Sequence, residues 1–158
     1  MNSPSAQNLL DSIDTTILEL DKLSLSNSNY ILDNYLSKFL VVYICGIYEE
    51  AIENIIIEFT NKNTTRFEIS NYISNSIGKN FRNPDFDKIL KLIKSFKNSS
   101  WENSIKALKP SAGLAIDSIV ANKNGLAHGQ GITTTLNDVK DYYINSRPLI
   151  EKIDALLI

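Results

Sequence analysis

Apolar side chains recur along most of the chain with the spacing of amphipathic α-helices. A first stripe lies within residues 6–25, at Leu9, Leu10, Ile13, Ile17, Leu20 and Leu23. A longer helix is predicted from about residue 30 to residue 61, and its apolar positions cover most of the circumference between residues 39 and 47. A helix that is apolar nearly all round packs on more than one side. We therefore expect this second helix to lie at the centre of the fold or to meet another subunit.

Capping signals divide the rest of the chain into further helices. N-cap residues are predicted at Thr65, Asn83, Ser99 and Thr135. Pro84 follows one of these caps at the position where proline is favoured, and Asp138 completes a capping box with Thr135. Another helix is predicted from residue 111 into "NKNGLAHG". Pro148 is expected to kink the last helix or to begin its second part.

No alternating strand pattern, internal repeat or low-complexity linker is present in the sequence. The pattern predicts an all-α fold, an antiparallel bundle of about four major helices with shorter helices inserted at residues 64–105. The length of 158 residues fits a single domain over residues 1–158.

Composition excludes several classes of protein. The single cysteine, Cys45, lies in the apolar run "FLVVYICGIY" and is predicted to be a buried core residue. The longest apolar run falls well short of the roughly 20 residues that span a membrane, and the N-terminus does not resemble a signal peptide. We expect a cytoplasmic protein without membrane contact. One histidine and one cysteine give no metal-ligand spacing, and no phosphate-binding loop is present, so neither a metal nor a cofactor is expected.

Charge is unevenly distributed, although the net charge is only −2. Residues 1–60 carry two basic and nine acidic side chains, whereas residues 79–109 carry eight basic and three acidic ones. Such a split can mark an anionic partner. By itself, the charge pattern favours a solvated helix face.

The only histidine, His128, lies in "NKNGLAHGQG", residues 122–131. If the preceding helix reaches residue 127, Lys123 and Asn124 lie five and four residues before the imidazole, and Gly129 ends the helix. A histidine that titrates near pH 6.5 can transfer protons, and a cation can hold a phosphate, so the group suits phosphate-ester chemistry. Alternatively, His128 only interacts favourably with the helix dipole.

The stretch "NKNGLAHG", followed by a Thr-capped helix with "DYY", resembles the HEPN domains (higher eukaryote and prokaryote nucleotide-binding). It is most similar to the RiboL-PSP-type group, whose typical motif is "RNxIAHG". The segment "FLVVYICGIYEEAIENIIIEF" is similar to that group's second helix, and the resemblance covers roughly residues 30–158.

The resemblance implies a homodimer in which two copies of an R-x4–6-H motif form a metal-independent ribonuclease site. The RNA 2′-hydroxyl attacks the neighbouring phosphate, with His128 as the acid or base and Asn124 as the polar residue of the motif. Lys123 occupies the place of the arginine. An acidic residue of the second helix is expected to orient the basic residue, and Glu50 is chosen over Glu49 and Glu53 because it follows an apolar residue, Ile47, by three positions.

Lysine in place of arginine keeps the charge but lacks the planar fork that grips a phosphate twice. Arg82 and Arg147 could supply a guanidinium, although the sequence does not place them. The basic segment is predicted to guide RNA through Lys88, Lys91, Lys94 and Lys97. Three functions stay open: a ribonuclease acting as a toxin or defence effector, with an antitoxin or a larger defence-system protein as partner; a non-catalytic module that binds RNA, nucleotide or protein; and a structural, dimerising subunit.

Overall fold

A computed structural model describes residues 1–27, 29–131 and 133–158. Ser28, in the predicted polar break, and Ile132, in the predicted loop after His128, lie outside the described residues. Seven α-helices lie within them: α1 (Pro4–Asn27), α2 (Tyr30–Asn63), α3 (Phe67–Asn80), α4 (Phe86–Ser95), α5 (Ser99–Lys106), α6 (Leu114–Ala127) and α7 (Leu136–Leu157). A π-helical turn, Lys109–Gly113, leads into α6.

Helix α2 lies at the centre of the fold. It packs against α1, α3, α6 and α7, and α6 packs against α7. Only two residues separate α1 from α2, and helices joined so closely and packed together run antiparallel. The predicted all-α bundle of four major helices with shorter ones inserted is confirmed, with α3, α4 and α5 as the insertion.

Burial on α2 explains why the helix is apolar round most of its circumference. Its buried apolar side chains are Leu40, Val41, Ile44, Cys45, Tyr48, Ala51, Ile52, Ile55 and Ile56. They meet neighbours on several sides, which confirms the prediction that this helix packs on more than one side.

The N-cap of α7 forms as predicted. The Thr135 hydroxyl accepts a hydrogen bond from the backbone N–H of Asp138 (3.2 Å), and the Asp138 carboxylate accepts one from the backbone N–H of Thr135 (2.9 Å). The helix then continues without a break through Pro148.

The other predicted N-caps are wrong by one or two positions. The observed N-cap residues of α3, α4 and α5 are Arg66, Asp85 and Asn98. The Asp85 side chain accepts from Lys88 N (2.8 Å), and the Asn98 side chain accepts from two backbone N–H groups of α5. Asn83 does not cap α4 because its backbone is left-handed, with φ 51°, and its polar groups bond to other helices. Tertiary contacts there override the local signal.

The centre of α7 is joined to α1 by a polar network. Arg147 donates to the carboxylates of Asp14 (2.6 Å) and Glu151 (2.8 Å), and the Tyr143 hydroxyl donates to Asp14 (2.8 Å). The Arg147 side chain therefore helps to hold α1 against α7. No helix among the described residues combines the length and apolar character needed to cross a membrane.

Candidate functional site

The end of α6 positions His128. Gly129 adopts φ 71°, its N–H donates to the Leu126 carbonyl (3.1 Å), and the Gln130 N–H donates to the Gly125 carbonyl (2.9 Å). These two bonds form a Schellman motif, which ends a helix with a left-handed residue, usually glycine. The prediction that Gly129 ends the helix is confirmed, and His128 becomes the C-cap residue.

His128 is exposed, and its backbone N–H is hydrogen-bonded within the helix end. The backbone N–H donates to the carbonyls of Asn124 (3.1 Å) and Gly125 (3.2 Å). No described side chain forms a hydrogen bond or ion pair with the imidazole. The exposed side chain is accessible to a substrate or to a second protein chain.

The segment after His128 is tied back to α6. The Asn122 side chain donates to the Ser118 carbonyl (2.8 Å) and accepts from the Thr134 hydroxyl (2.7 Å). Because Thr134 immediately precedes the N-cap of α7, this contact fixes the start of α7 beside the C-terminal half of α6. His128 thus lies at a well-anchored corner between the two helices.

Lys123 and His128 do not converge within one chain. Lys123 Nζ donates to Asn83 Oδ1 (2.5 Å). Residues five apart on an α-helix differ by about 140° around the axis, whereas residues four apart differ by only about 40°. Asn124 and His128 therefore share a face, and Lys123 points towards the segment before α4.

That segment, residues 82–85, is called the elbow here, and α2 holds it through Glu49. Glu49 Oε1 accepts from the backbone N–H of Asn83 (2.6 Å), and Glu49 Oε2 lies 3.6 Å from Arg82 Nη1. Glu50, the residue chosen from the sequence, is exposed and forms no hydrogen bond or ion pair with the described residues. The acidic residue that the structure brings to Lys123, through Asn83, is Glu49.

Helix α4 holds the elbow from another side. Lys88 Nζ donates to the carbonyls of Arg82 (2.9 Å) and Asn83 (3.0 Å) and pairs with Asp85 (3.3 Å). Side chains from α2, α4 and α6 thus converge on one left-handed asparagine. Asparagine suits this position because it tolerates positive φ better than most residues do.

Cys45 lies in the core next to this cluster. Burial raises the pKa of its thiol from an ordinary value of 9.0 to about 11, with a smaller contribution from the Glu49 carboxylate. Such a thiol is protonated at neutral pH and is not an activated nucleophile. The predicted role as a buried core residue is confirmed.

We expect the thiol of Cys45 to react slowly with an aromatic disulfide reagent. At pH 8 a pKa of about 11 leaves roughly a hundredfold less thiolate than a pKa of 9 does. The labelling rate of the folded protein should keep rising steeply up to pH 10, whereas the rate of urea-unfolded protein should be close to its plateau at pH 10, one unit above the ordinary thiol pKa. Equal rates for the two forms would show that the thiol is neither buried nor perturbed.

The four predicted RNA-binding lysines of the basic segment have different surroundings. Lys88 is used in the elbow, and Lys94 lies 3.7 Å from Glu102. A hydrogen bond from Lys106 to the same Glu102 carboxylate lowers the pKa of that group. Lys91 and Lys97 are exposed and have no ion pair within the described part of the chain. These two are the lysines most accessible to an RNA backbone.

Sequence reasoning missed the role of Asn83 and the contact of Glu49 with the elbow. The dipeptide Asn83–Pro84 is a turn signal, although the capping pattern predicts a helix start at the same place. This Asn-Pro dipeptide is the signal that could have identified the elbow, where Asn83 is left-handed and Pro84 is buried. The contacts of Asn83 with residues 34 and 40 positions away have no counterpart in local sequence.

Comparison with known proteins gives one result. The family model described as RiboL-PSP-HEPN matches residues 7–158. Searches of curated proteins and of solved structures gave no match. Since the matched segment takes in nearly the whole chain, including α2, the elbow and the end of α6, the protein belongs to the RiboL-PSP-type HEPN family.

Proposed function

We propose that the protein is a metal-independent endoribonuclease that acts as a homodimer, with a composite site built around His128 of both chains. Membership of the HEPN family supports a nuclease or another RNA-related module in general. The observation that carries the finer proposal is the exposed imidazole without a side-chain partner among the described residues, held at the Schellman end of α6.

The proposed reaction needs a base and an acid. The base takes the proton of the RNA 2′-hydroxyl, O2′ forms a bond to the adjacent phosphorus, and the bond from phosphorus to O5′ breaks as the acid protonates O5′. The products are a 2′,3′-cyclic phosphate and a 5′-hydroxyl. One chain has a single histidine. A two-fold axis that brings two copies of His128 to one phosphate supplies both groups.

An exposed apolar face of α2 supports pairing of two chains. Tyr35, Phe39 and Val42 follow helical spacing and are 65%, 51% and 49% exposed. Gly46 continues the same face, and a Cβ placed there would meet nothing within 4 Å. Glycine within a helix costs roughly 0.5–1 kcal/mol of stability relative to alanine. No contact with the described residues requires a glycine at position 46. Close approach of a second α2 would require it.

The apolar face leads to the cluster around Glu49. Positions 35, 42 and 49 lie seven residues apart, so each is displaced by only about 20° from the one before it. A partner helix laid along this face would reach Glu49 and the elbow at its end. This continuity supports a dimer in which the paired α2 surfaces lie next to Glu49 and the elbow.

A toxin or an effector of a defence system is the cellular role that we propose. A ribonuclease that requires neither metal nor cofactor is active whenever it is free, and the cell must restrain it. An antitoxin or a larger defence-system protein would supply that restraint.

Purified protein incubated with total RNA and excess EDTA tests the proposed activity. We expect RNA fragments at protein concentrations at which the chain is dimeric, and the same yield when magnesium replaces EDTA. Intact RNA under both conditions would contradict the proposal.

A second candidate, a non-catalytic RNA-binding module, is favoured by one observation: Lys123 Nζ is bonded to Asn83 instead of being free for a phosphate. Its signature is RNA binding that weakens with salt, without cleavage. Replacing Lys91 and Lys97 by alanine should weaken that binding in a similar way for all sequences. Cleavage that depends on His128 would exclude it.

A further inference from the structure

The chain has three arginines, and the structure gives them different surroundings. Arg147 is committed to Asp14 and Glu151 on the α1–α7 side of the bundle. Arg66 is exposed at the N-cap of α3, and no hydrogen bond or ion pair with the described residues involves its side chain. Arg82 lies in the elbow, next to the residue that binds Lys123.

The backbone of the elbow is fixed from three helices. Glu49 of α2 accepts the Asn83 N–H, Lys88 of α4 donates to two elbow carbonyls, and Lys123 of α6 donates to the Asn83 side chain. Arg82 is therefore attached to a rigid support. Its own side chain is half exposed (57%), whereas that of Glu49 is only 18% exposed.

The elbow runs along α6 towards the C-terminal half of that helix. The Phe86 N–H donates to Asp117 Oδ1 (2.8 Å), and the Asn83 side chain meets Lys123, six residues further along the helix. From residue 86 back to residue 83, the chain thus moves towards the C-terminal end of α6. Lys123 lies about 140° around the helix axis from His128. Arg82 comes next, beside the face of α6 that carries Lys123, the motif position.

The contacts of Arg82 leave part of its guanidinium available. Nη2 donates to the Gly78 carbonyl, and Nη1 pairs with Glu49 at 3.6 Å, which is long for a hydrogen bond. A guanidinium carries five N–H donors in a planar fork that matches phosphate. Three cations (Arg82, Lys88 and Lys123) and two carboxylates (Glu49 and Asp85) meet here. The Glu53 carboxylate lies beside Gly78, whose carbonyl Arg82 binds.

We propose that Arg82 is the residue that binds the RNA phosphate, supplying from the elbow the guanidinium that the motif position occupied by Lys123 lacks. Glu49 and Lys123 are then positioning residues: Glu49 orients the guanidinium, and Lys123 holds the elbow against α6. This inference rests on the proposed RNA-directed function, and it assigns Lys123 to an architectural role.

Binding of a 2′-O-methyl RNA, which cannot be cleaved, measures the phosphate contact separately from catalysis. Arg82→Ala should weaken this binding about tenfold near 0.1 M salt and reduce the slope of log K against log salt by about 0.7, the value for one phosphate of a single strand. Arg82→Lys should retain the slope but recover only part of the affinity, because a lysine keeps the charge without the fork. Arg66→Ala is the matched control and should bind like the unmodified protein.

Cleavage of ordinary RNA completes the test. Arg82→Ala should reduce the rate about a hundredfold, as removal of one transition-state charge contact typically does, while Arg66→Ala has no effect. If the protein does not cleave RNA but Arg82→Ala still weakens binding with the lower salt slope, the ribonuclease proposal fails and the role of Arg82 stands. Equal binding and equal cleavage for Arg82→Ala and Arg66→Ala, or no binding of RNA by the unmodified protein, would overturn the role of Arg82.

Discussion

Replacement of His128 by alanine is expected to reduce RNA cleavage by about 10²–10⁴-fold, the usual contribution of general acid–base catalysis. In a composite site the substitution removes both imidazoles, so the effect should lie towards the upper end of this range. Initial rates on a labelled RNA in EDTA measure it. The fold should be unaffected, because His128 is exposed and its side chain makes no hydrogen bond with the described residues.

Gln130→Ala is the matched control for His128→Ala. Gln130 is also exposed, lies two residues away in the same Schellman motif, and bonds there through its backbone. Both variants should keep the thermal midpoint of the unmodified protein within the range typical of surface substitutions. Loss of activity in the two variants alike, or in neither, would remove His128 from the catalytic role.

Replacement of Val42 by arginine is expected to convert the proposed dimer into a monomer and to abolish cleavage. Val42 is half exposed at the centre of the apolar face of α2, between Phe39 and Gly46. A two-fold axis near this point would bring the two introduced charges together in an apolar contact, where unpaired charges are strongly unfavourable. Sedimentation or light scattering should show the mass fall from twice 17.7 kDa to 17.7 kDa.

Ile144→Arg is the matched control for the dimer. Ile144 is a β-branched residue that is 63% exposed on α7, in a groove lined by residues of α1 and α7. This variant should remain dimeric and active. A Val42→Arg protein that is monomeric yet cleaves RNA at the original rate would show that the site lies within one chain.

The helices could be predicted from the sequence because their apolar positions repeat with a 3.6-residue period, and this period depends only on burial of one or more faces. The end of α6 could also be predicted, since Gly129 is the residue that a left-handed C-cap requires. Local chemistry is sufficient in both cases.

The arrangement of the site could not be predicted in the same way. Glu49 and Glu50 differ by only 100° around α2, and the choice between them depends on where the elbow packs. Asn83 has the sequence of a helix start, but bonds from α2 and α6 hold it in a left-handed conformation instead. The position of Arg82 depends on these long-range contacts, which no local pattern encodes.

The chemical ends of the RNA fragments test the central claim most directly. After incubation with the protein in EDTA, attack by the 2′-hydroxyl should leave 2′,3′-cyclic phosphates and 5′-hydroxyls, and a single 2′-deoxy substitution at a cleaved position should block cleavage there. We expect both results for the unmodified protein and neither for His128→Ala. Fragments with 5′-phosphates and 3′-hydroxyls, or cleavage that persists at the 2′-deoxy position, would contradict it.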